Sequence, residues 1–438
     1  MPLRFPRPLG VIRALFLTVV LCFRGTCPAG AAPTELRAWT SSSGTRIQAQ
    51  ATVVQDGVVQ LLTADQRLLK VPLDKFAADD QAFLRKHFGI VAADGIPPAA
   101  ALQEDTSISL PKGQPQGPIE AGPGSSYHLY LPKSLPHGRK HPLMMILNPH
   151  HGNNGTLTRY QPGAERNGWI LITSVESANE VDPKVAVTAI VKAIDHAKST
   201  LPVDPGRVFI GGFSGGSSRS FRVAAEVDAA GILACGMGAA SNIQIKRDLP
   251  IYILSGSNCW NRSDPGTTLA MLCPKSKDSL ARYFPGNHDW ANAELMEDGM
   301  THLHATVLAN RRDRYPDEAQ ANAAAILQFA GDLRQSNPAR ALMWTTFLSE
   351  RPTDSKLLPA LRKLHTELSK DPQAVRWVEG LKAIHRFAVD KLGKEELEDR
   401  RNGWAKCGRD LQKLATEYAD TPWKEALDRM LQPAVPPQ

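Results

Sequence analysis

Two short stretches of the chain carry residues that can act together as a nucleophile and a base. In RVFIGGFSGGSSRS (207 to 220) an apolar run leads into GFSGG, a Gly-x-Ser-x-Gly pattern centred on Ser214. A serine on a sharp turn between a strand and a helix presents its hydroxyl for attack, and small neighbours let the backbone turn and the substrate approach. We therefore predict that Ser214 is a nucleophile.

The stretch FPGNHDW (284 to 290) supplies a candidate base. His288 lies on a turn made by Pro285 and Gly286, and a serine nucleophile needs an imidazole to remove its proton. Gly-Asn-His-Asp is also typical of a two-metal phosphoesterase. That chemistry needs an upstream Asp-x-His and a Gly-Asp pair, yet the chain has no Asp-x-His and its only Gly-Asp lies downstream at 331. The sequence therefore favours the serine hydrolase.

An acyl-transfer site also needs hydrogen-bond donors for the charge that develops on the carbonyl oxygen. The N–H of Gly215, at the start of a predicted helix, is one candidate. Gly152, in the loop HHGNNG after the run PLMMILNP (142 to 149), is the other. His150 and His151 in that loop are an alternative metal pair. Adjacent residues at a strand end point to opposite sides, so we expect structural roles for them.

The elements that must position these residues are short apolar runs without alternation, which are typical of strands buried on both faces. The runs are YHLYLP (127 to 132), PLMMILNP (142 to 149), GWILITSV (168 to 175), RVFIGGFS (207 to 214) and LPIYILSG (249 to 256). Helical stretches such as 183 to 201 separate them. This rhythm predicts an α/β fold with a parallel sheet and helices on both sides.

The first 31 residues differ in composition from the rest of the chain. Three arginines precede the apolar run ALFLTVVLCF (14 to 23), which is followed by PAGAAP, so we predict a signal peptide over 1–31 and a secreted or periplasmic protein. The run is too short to span a bilayer; an uncleaved anchor is the alternative. This segment holds four arginines and no acid, so its removal lowers the formal charge from +7 to +3, which argues against nucleic-acid binding.

Residues 36–76 alternate apolar and polar positions, with Asp56-Gly57 as a hairpin signal, and predict a small β domain over 34–90 that is closed by a short helix. Through Arg37, Trp39, Asp56-Gly57 and VPLDKFAADDQAFL the stretch resembles the Sla-type homology domain, an SH3-like barrel. The resemblance implies binding or tethering, hence a protein partner for this domain. We expect Trp39 to be a core or barrel-mouth residue rather than a ligand platform.

Two further regions frame the central part of the chain. Residues 91–125 are rich in Pro, Gly and Ala and predict a linker. Residues 316–435 show periodic helical patterns, with Asp371 before Pro372 as an N-cap followed by proline at the first helical position. We expect a helical C-terminal domain whose charged faces are solvated, and it carries no motif that indicates a function.

Residues 126–312 resemble the α/β-hydrolase superfamily, in particular secreted feruloyl esterases, polyhydroxybutyrate depolymerases and dienelactone-hydrolase-like enzymes. The resemblance rests on YHLYLPKSL, the His-Gly after the second run, DPGRVFIGGFSGGS and FPGNHDW. It implies that Ser214 is the nucleophile and His288 the base, in the chain order nucleophile, acid, histidine.

The chain departs from this family at the acid. The strand before the histidine usually ends Gly-x-x-Asp, whereas SGSNCWN places Cys259 three residues after Gly256. A thiol is mostly neutral near pH 7 and does not replace a carboxylate charge. Asp264 is therefore our candidate acid; Glu176 and Asp289 are weaker candidates.

Four cysteines follow the predicted signal peptide: Cys235, Cys259, Cys273 and Cys407. An even number in an oxidising compartment is compatible with disulfides, and Cys259 and Cys273 are close enough in sequence to close a small loop. Buried free thiols are the alternative.

Together these observations predict an exported serine esterase that acts through an acyl-enzyme on an acyl or feruloyl group of a polysaccharide, or on a related polymer ester. No cofactor or metal is implied, nor stable membrane insertion. The alternatives are a peptidase of the same fold and a degenerate hydrolase that binds without turnover, for which the thiol at position 259 is the main argument.

Overall fold

The computed structural model describes residues 33–88, 108–392 and 407–433, except for 43, 56–57, 66, 246–248 and 275. The predicted signal peptide and residues 91–107 of the predicted linker lie outside the described residues. The chain divides into two compact units, Met1–Ile90 and Val91–Gln438, which are described separately. In the part of the chain that the structure describes, no helix is both long and apolar enough to cross a membrane.

The first unit is the expected small β domain. Its strands are β1 (Arg37–Thr40), β2 (Arg46–Gln55), β3 (Val58–Thr63) and β4 (Leu68–Pro72), followed by helix α1 (Ala78–His87). The strands pair antiparallel in the order β1-β2-β3-β4. Trp39 is buried in the core, where its Nε1–H donates to the Ala49 carbonyl at 2.8 Å, as a core role predicts. The tip of the Asp56-Gly57 hairpin lies outside the described residues.

The second unit is built on an eight-stranded mixed sheet. Its strands are β5 (Pro115–Glu120), β6 (Ser126–Tyr130), β7 (His141–Leu147), β8 (Ile170–Ser174), β9 (Val203–Phe213), β10 (Ala229–Cys235), β11 (Ile251–Gly256) and β12 (Leu280–Phe284). Their order across the sheet is β5-β6-β8-β7-β9-β10-β11-β12. The pairs from β8 to β12 are parallel, and β6 is antiparallel to both of its neighbours. The predicted α/β sheet is confirmed, but the expected parallel pairing does not extend to β6, which carries the run at 127–132.

Helices cover both faces of this sheet. They are α2 (Asn154–Thr158), α3 (Gln161–Asn167), α4 (Pro183–Thr200), α5 (Gly215–Glu226), α6 (Asp264–Leu272) and α7 (Ala293–Asn310). Apolar residues of α3 and α7 pack into the core on one face, and those of α4, α5 and α6 pack into the core on the other. Burial on both faces explains why the central strands are apolar without alternation.

Strand β5 corrects the predicted linker. Residues 115–120 pair antiparallel with β6 at the edge of the sheet. Gly117 and Pro118 suggested a linker, but an edge strand tolerates proline because its outer N–H groups need no strand partner. The domain that contains the sheet therefore begins before residue 126.

The C-terminal region is helical, as predicted. Its described helices are α8 (Pro316–Leu333), α9 (Pro338–Ser349), α10 (Leu358–Leu368), α11 (Pro372–Asp390), α12 (Gly408–Glu417) and α13 (Trp423–Leu431). Asp371 caps α11, because its side chain accepts from the N–H groups of Gln373 and Ala374.

The helical region is not a separate domain, contrary to expectation. Leu381, Ile384 and Phe387 of α11 belong to the same apolar core as the sheet. Gly266 on α6 lets α11 approach closely, since a Cβ there would lie 2.0 Å from the Ala388 carbonyl oxygen. The apolar pattern of an amphipathic helix shows how wide its buried face is, but not which element that face packs against. The sequence therefore did not reveal that α11 packs against the sheet.

A buried ion-pair cluster links the sheet to the helical region. Asp298 on α7 is 1% exposed and accepts from Arg282 of β12 at 2.7 Å and from Arg340 of α9 at 2.8 Å. Burial by itself would raise the pKa of Asp298, yet the two guanidinium groups hold that pKa below its usual value. The carboxylate is therefore ionised and compensates two buried positive charges.

Replacing Asp298 with Asn should lower the free energy of unfolding by about 3–5 kcal/mol, because Arg282 loses its buried counter-charge and Arg340 keeps only Glu297, at 2.9 Å, and the half-exposed Glu294. Urea unfolding followed by circular dichroism measures the change. Glu294→Gln is the control: Glu294 contacts the same Arg340 at 3.2 Å but is about half exposed, so its loss should stay below about 1 kcal/mol. Equal effects of the two substitutions would contradict a dominant role for the buried carboxylate.

Candidate active site

The turn after β9 gives Ser214 a backbone conformation that few side chains adopt. Its φ is 51° and its ψ is −124°, and it is the one non-glycine residue with positive φ among the described residues. Its N–H donates to the Cys235 carbonyl at 2.9 Å, and α5 begins at the next residue. A strained serine between a strand and a helix is the geometry of a nucleophile elbow.

The glycines around Ser214 allow the elbow to press against the end of β7. A Cβ on Gly212 would lie 2.4 Å from the Leu147 carbonyl oxygen, and one on Gly216 would lie 2.2 Å from the same atom. No side chain fits at either distance. The GFSGG pattern therefore follows from packing at the centre of the sheet.

His288 lies in the loop after β12 and contacts the serine directly. Its Nε2 is 2.7 Å from the Ser214 Oγ, within reach for proton transfer. Phe213 and Trp260 flank the imidazole, each with a ring centroid 4.9 Å away. Two residues 74 positions apart in the chain are thus brought together as the sequence predicts.

Cys259, rather than a carboxylate, faces the other ring nitrogen of His288. Its Sγ lies 3.1 Å from Nδ1, the atom that a triad acid normally contacts. Burial raises the pKa of Cys259 to about 11, so the thiol is neutral near pH 7. Cys259 occupies the sequence position of the family's acid, three residues after Gly256, although a neutral thiol does not supply the charge of that acid.

The expectation that Asp264 orients His288 is corrected by this geometry. Asp264 is buried at the start of α6, and its Oδ2 accepts from the N–H of Gly238 at 3.0 Å. The two His288 nitrogens face Ser214 and Cys259 instead. Because α6 begins at Asp264, the helix directs this carboxylate toward the loop after β10, and distance along the chain gave no sign of that direction.

The weaker acid candidates lie elsewhere. Glu176 accepts from the backbone N–H and the hydroxyl of Ser126. Asp289 accepts from the N–H of Trp290, and its charge partly offsets the effect of burial on His288. Burial is the larger effect and lowers the pKa of His288, so the imidazole is neutral near pH 7.

Backbone hydrogen bonds join the loop of Cys259 to the loop of His288. The N–H of Ser257 donates to the Phe284 carbonyl, and that of Asn258 donates to the Gly286 carbonyl, both at 2.8 Å. Gly256 makes this close approach feasible, since a Cβ there would lie 1.9 Å from the Asn287 carbonyl oxygen. These hydrogen bonds join the two loops and so fix the contact between the Cys259 thiol and the His288 imidazole.

Gly215 lies where the predicted oxyanion donor must lie. It is the first residue of α5, so its N–H has no partner within the helix. The side chain of Asn179 contacts it: a Cβ on Gly215 would lie 1.9 Å from Oδ1 and 2.8 Å from Nδ2 of Asn179. Asn179 is exposed, and no sequence motif indicated it.

Asn179 is held in place from two sides. Its N–H donates to the Pro149 carbonyl at 2.8 Å, next to the end of β7. Arg219 on α5 donates to the carbonyls of Ser177 and Ala178, the second at 3.0 Å. The loop that carries the amide is thus attached to the helix that carries the nucleophile.

Gly152, the second predicted oxyanion donor, has another role. Its N–H donates to the Ser174 carbonyl at 3.1 Å, and a Cβ would lie 2.2 Å from that oxygen. This glycine is required for packing against β8, and its N–H is already engaged.

His150 and His151 are exposed, and Nδ1 of His151 contacts the Val175 carbonyl. No cluster of three metal-ligating side chains occurs among the described residues.

Aromatic side chains form the walls beside the base. Trp290 stacks on Phe213 with centroids 4.9 Å apart, and Tyr160 meets Trp290 edge-on. Trp260 and Trp290 are half-buried, so each keeps part of its surface accessible. Flat apolar surface therefore lies beside the His288 imidazole.

Among the described residues, the four cysteines that follow the predicted signal peptide are buried and form no disulfide, which corrects the proposed Cys259–Cys273 pair. Cys259 contacts His288, whereas the Cys273 thiol donates to the Ser279 hydroxyl at 3.3 Å. Proximity along the chain did not reveal that the two side chains face different partners.

Strand order, elbow and histidine position together define an α/β-hydrolase fold. Residues 29–91 match the family model of SLA1 homology domain 1. No curated protein sequence matches the chain.

Solved structures similar to this chain include S-formylglutathione hydrolase FrmB from Staphylococcus aureus, Est1E from Butyrivibrio proteoclasticus, and the fluorophosphonate-binding serine hydrolase FphF from Staphylococcus aureus. Their sequence identities are 13%, 14% and 14%, each with a TM-score of 0.34. The alignments cover 42%, 43% and 42% of this chain and 96%, 97% and 96% of theirs.

Iodoacetamide should leave the four buried cysteines of the native protein unmodified at about pH 8, because burial makes them inaccessible to the reagent. Burial raises the pKa of Cys235 to about 12 and that of Cys259 to about 11. Unfolding in guanidinium without reductant should then expose all four to alkylation, as read by peptide mass spectrometry. A Cys259–Cys273 pair still protected after unfolding would restore the disulfide.

Proposed function

We propose that this protein is a serine hydrolase that cleaves esters through an acyl-enzyme formed on Ser214. The observation that carries the proposal is the 2.7 Å contact between Ser214 Oγ, on a strained elbow, and His288 Nε2. A serine hydroxyl is a weak nucleophile until a base removes its proton, and this contact supplies the base.

In the first half of the reaction the Ser214 Oγ attacks the ester carbonyl while Nε2 of His288 takes its proton. The carbonyl oxygen becomes negatively charged, and the N–H of Gly215 with the Nδ2–H of Asn179 stabilises it. His288 then gives the proton to the departing alkoxide. In the second half, water adds to the acyl-enzyme with His288 again as base, and the acid leaves.

We further propose that the substrate is an acyl or feruloyl ester of a polysaccharide, or a related polymer ester. The half-buried rings of Trp260 and Trp290 favour a flat apolar acyl group beside the nucleophile. Peptide amides are the competing substrate class. Rates on 4-nitrophenyl butyrate, methyl ferulate, acetylated xylan and a peptide 4-nitroanilide would separate these classes.

We also propose that the protein is exported and that its N-terminal β domain binds a protein partner. The pattern of residues 1–31 supports secretion or a periplasmic location. The SLA1-type domain matched at 29–91 supports a role in binding a protein partner rather than in catalysis.

A binding protein without turnover is the second candidate, and the neutral thiol at position 259 is the observation that favours it. The intact contact between Ser214 and His288 favours the enzyme. Labelling of Ser214 by a fluorophosphonate probe distinguishes the enzyme from the binding protein.

A fluorophosphonate probe should label the folded protein at Ser214 near neutral pH, because only an activated serine attacks the phosphorus. Ser214→Ala and His288→Ala should abolish labelling. Ser218→Ala is the matched control, since Ser218 lies one turn further along the same helix, and it should label like the wild type. Absence of labelling in a correctly folded wild type would support the binding protein.

Asn179→Ala should lower kcat on 4-nitrophenyl butyrate by about 10²–10³ with little change in KM, because the amide would act on the developing oxyanion rather than on bound substrate. Asn179→Asp should lose as much, since a carboxylate has no proton to donate. Asn322→Ala, on α8, serves as control. An unchanged kcat in Asn179→Ala would exclude this donor.

A further inference from the structure

The thiol of Cys259 is closed to solvent and lies among four polar groups, one of which is the Ser255 hydroxyl. Cys259 is fully buried, and its Sγ is 3.1 Å from Nδ1 of His288, 3.3 Å from the backbone nitrogen of Asn261 and 3.7 Å from the Gly236 carbonyl oxygen. With water excluded, these contacts decide where the thiol proton and the imidazole proton lie.

The hydrogen-bonding capacity of the neighbours limits the arrangements. The N–H of Asn261 can only donate, so Sγ accepts from it; the Gly236 carbonyl can only accept. The thiol proton therefore points either to Nδ1 of His288 or away from it, to Gly236 O or to the Ser255 hydroxyl, whose own proton goes to the Gly256 carbonyl at 3.2 Å. If it pointed to Nδ1, the imidazole proton would have to be on Nε2, and His288 could not accept the proton of Ser214.

The arrangement in which the thiol proton points away from His288 leaves the imidazole able to act as a base. With S–H directed to Gly236 O, Nδ1–H donates to Sγ and Nε2 keeps a lone pair toward Ser214 Oγ. The side-chain amide of Asn261 donates to the same Gly236 carbonyl at 3.1 Å and fixes that acceptor. A chain of aligned dipoles then runs from the imidazole to the backbone.

We propose that Cys259 is a positioning residue that replaces the usual carboxylate: its thiol donates to the Gly236 carbonyl, accepts from Nδ1–H of His288, and so keeps His288 in the tautomer that is basic at Nε2. This inference rests on the proposed hydrolase function. An uncharged side chain would then occupy the position that the acid of a catalytic triad normally occupies.

An uncharged third member changes how His288 titrates. Asp289 is the charged neighbour on its own loop, and its carboxylate favours the imidazolium. From the other loop Cys259 is neutral, while Arg262 and Asp264 near it carry opposite charges. Burial is the larger effect, and it lowers the pKa of His288 below 6.5. Activity that needs neutral His288 should therefore persist below that pH, with an acid limb lower than that of a carboxylate triad.

The test is the pH dependence of kcat/KM on 4-nitrophenyl butyrate for the wild type and for Cys259→Ala, Cys259→Ser and Cys259→Asp. Cys273→Ala is the matched control, because Cys273 is also buried but faces Ser279 rather than His288. Near-UV circular dichroism confirms that each variant is folded.

Loss of the thiol in Cys259→Ala should lower kcat by about tenfold to a hundredfold, the usual effect of one hydrogen bond to a group that becomes charged. Cys259→Ser should stay within about tenfold of the wild type, since a hydroxyl donates and accepts in the same way. Cys259→Asp should raise kcat and move the acid limb up by about 1–3 pH units, because a carboxylate stabilises the imidazolium. Cys273→Ala should match the wild type.

Unchanged kcat and acid limb in Cys259→Ala would overturn the positioning role, and so would equal losses in the Ala and Ser variants. If the Ala variant does not fold, the comparison of Ser with Asp decides. Nitrogen-15 NMR of His288 gives a second readout that does not need turnover: the proposal requires the Nδ1-protonated tautomer in the wild type. A wild type without turnover or labelling overturns the hydrolase proposal instead, while the tautomer still tests Cys259.

Discussion

The site depends on one strained residue, Ser214, whose positive φ is held by its neighbours in the sheet. Such a conformation costs on the order of 1–3 kcal/mol and persists only where the surroundings determine it. Here two glycines press against the Leu147 carbonyl at the end of β7, and the Ser214 N–H binds the Cys235 carbonyl at the end of β10. Because β9 lies between those two strands, the centre of the sheet, rather than a mobile loop, sets the position of the nucleophile.

The base is held differently, from the edge of the sheet. His288 follows β12, the last strand, so this side has no further strand to support it. The loop after β11 and the helical region take that role. Arg282 lies in β12 itself and is neutralised by Asp298, which also binds Arg340 of α9. The C-terminal helices therefore stabilise the strand that leads to the base, which gives a structural reason for a region without any motif.

What the sequence could reveal was mostly local. Buried strands and the elbow were predictable because apolar runs and the spacing of glycines follow directly from packing at those residues. Strand β5 was missed because Pro118 is as typical of a linker as of an edge strand. Asp264 and Gly152 were assigned by position along the chain, whereas their hydrogen bonds to Gly238 and Ser174 depend on how separate loops meet. Asn179 belongs to no pattern and emerges only from the folded geometry.

A neutral side chain at position 259, beside His288, is compatible with the charges already buried near it. Asp264 lies near Cys259 and is one of the groups that raise its pKa, after burial itself. A carboxylate at position 259 would place a second negative charge beside Asp264 in a buried site, where desolvation acts against it and Arg262 offsets only part of the repulsion. The thiol avoids that cost but stabilises the imidazolium less. In the proposed reaction, the thiol would thus lower the rate but keep His288 uncharged, and therefore basic toward Ser214, at lower pH.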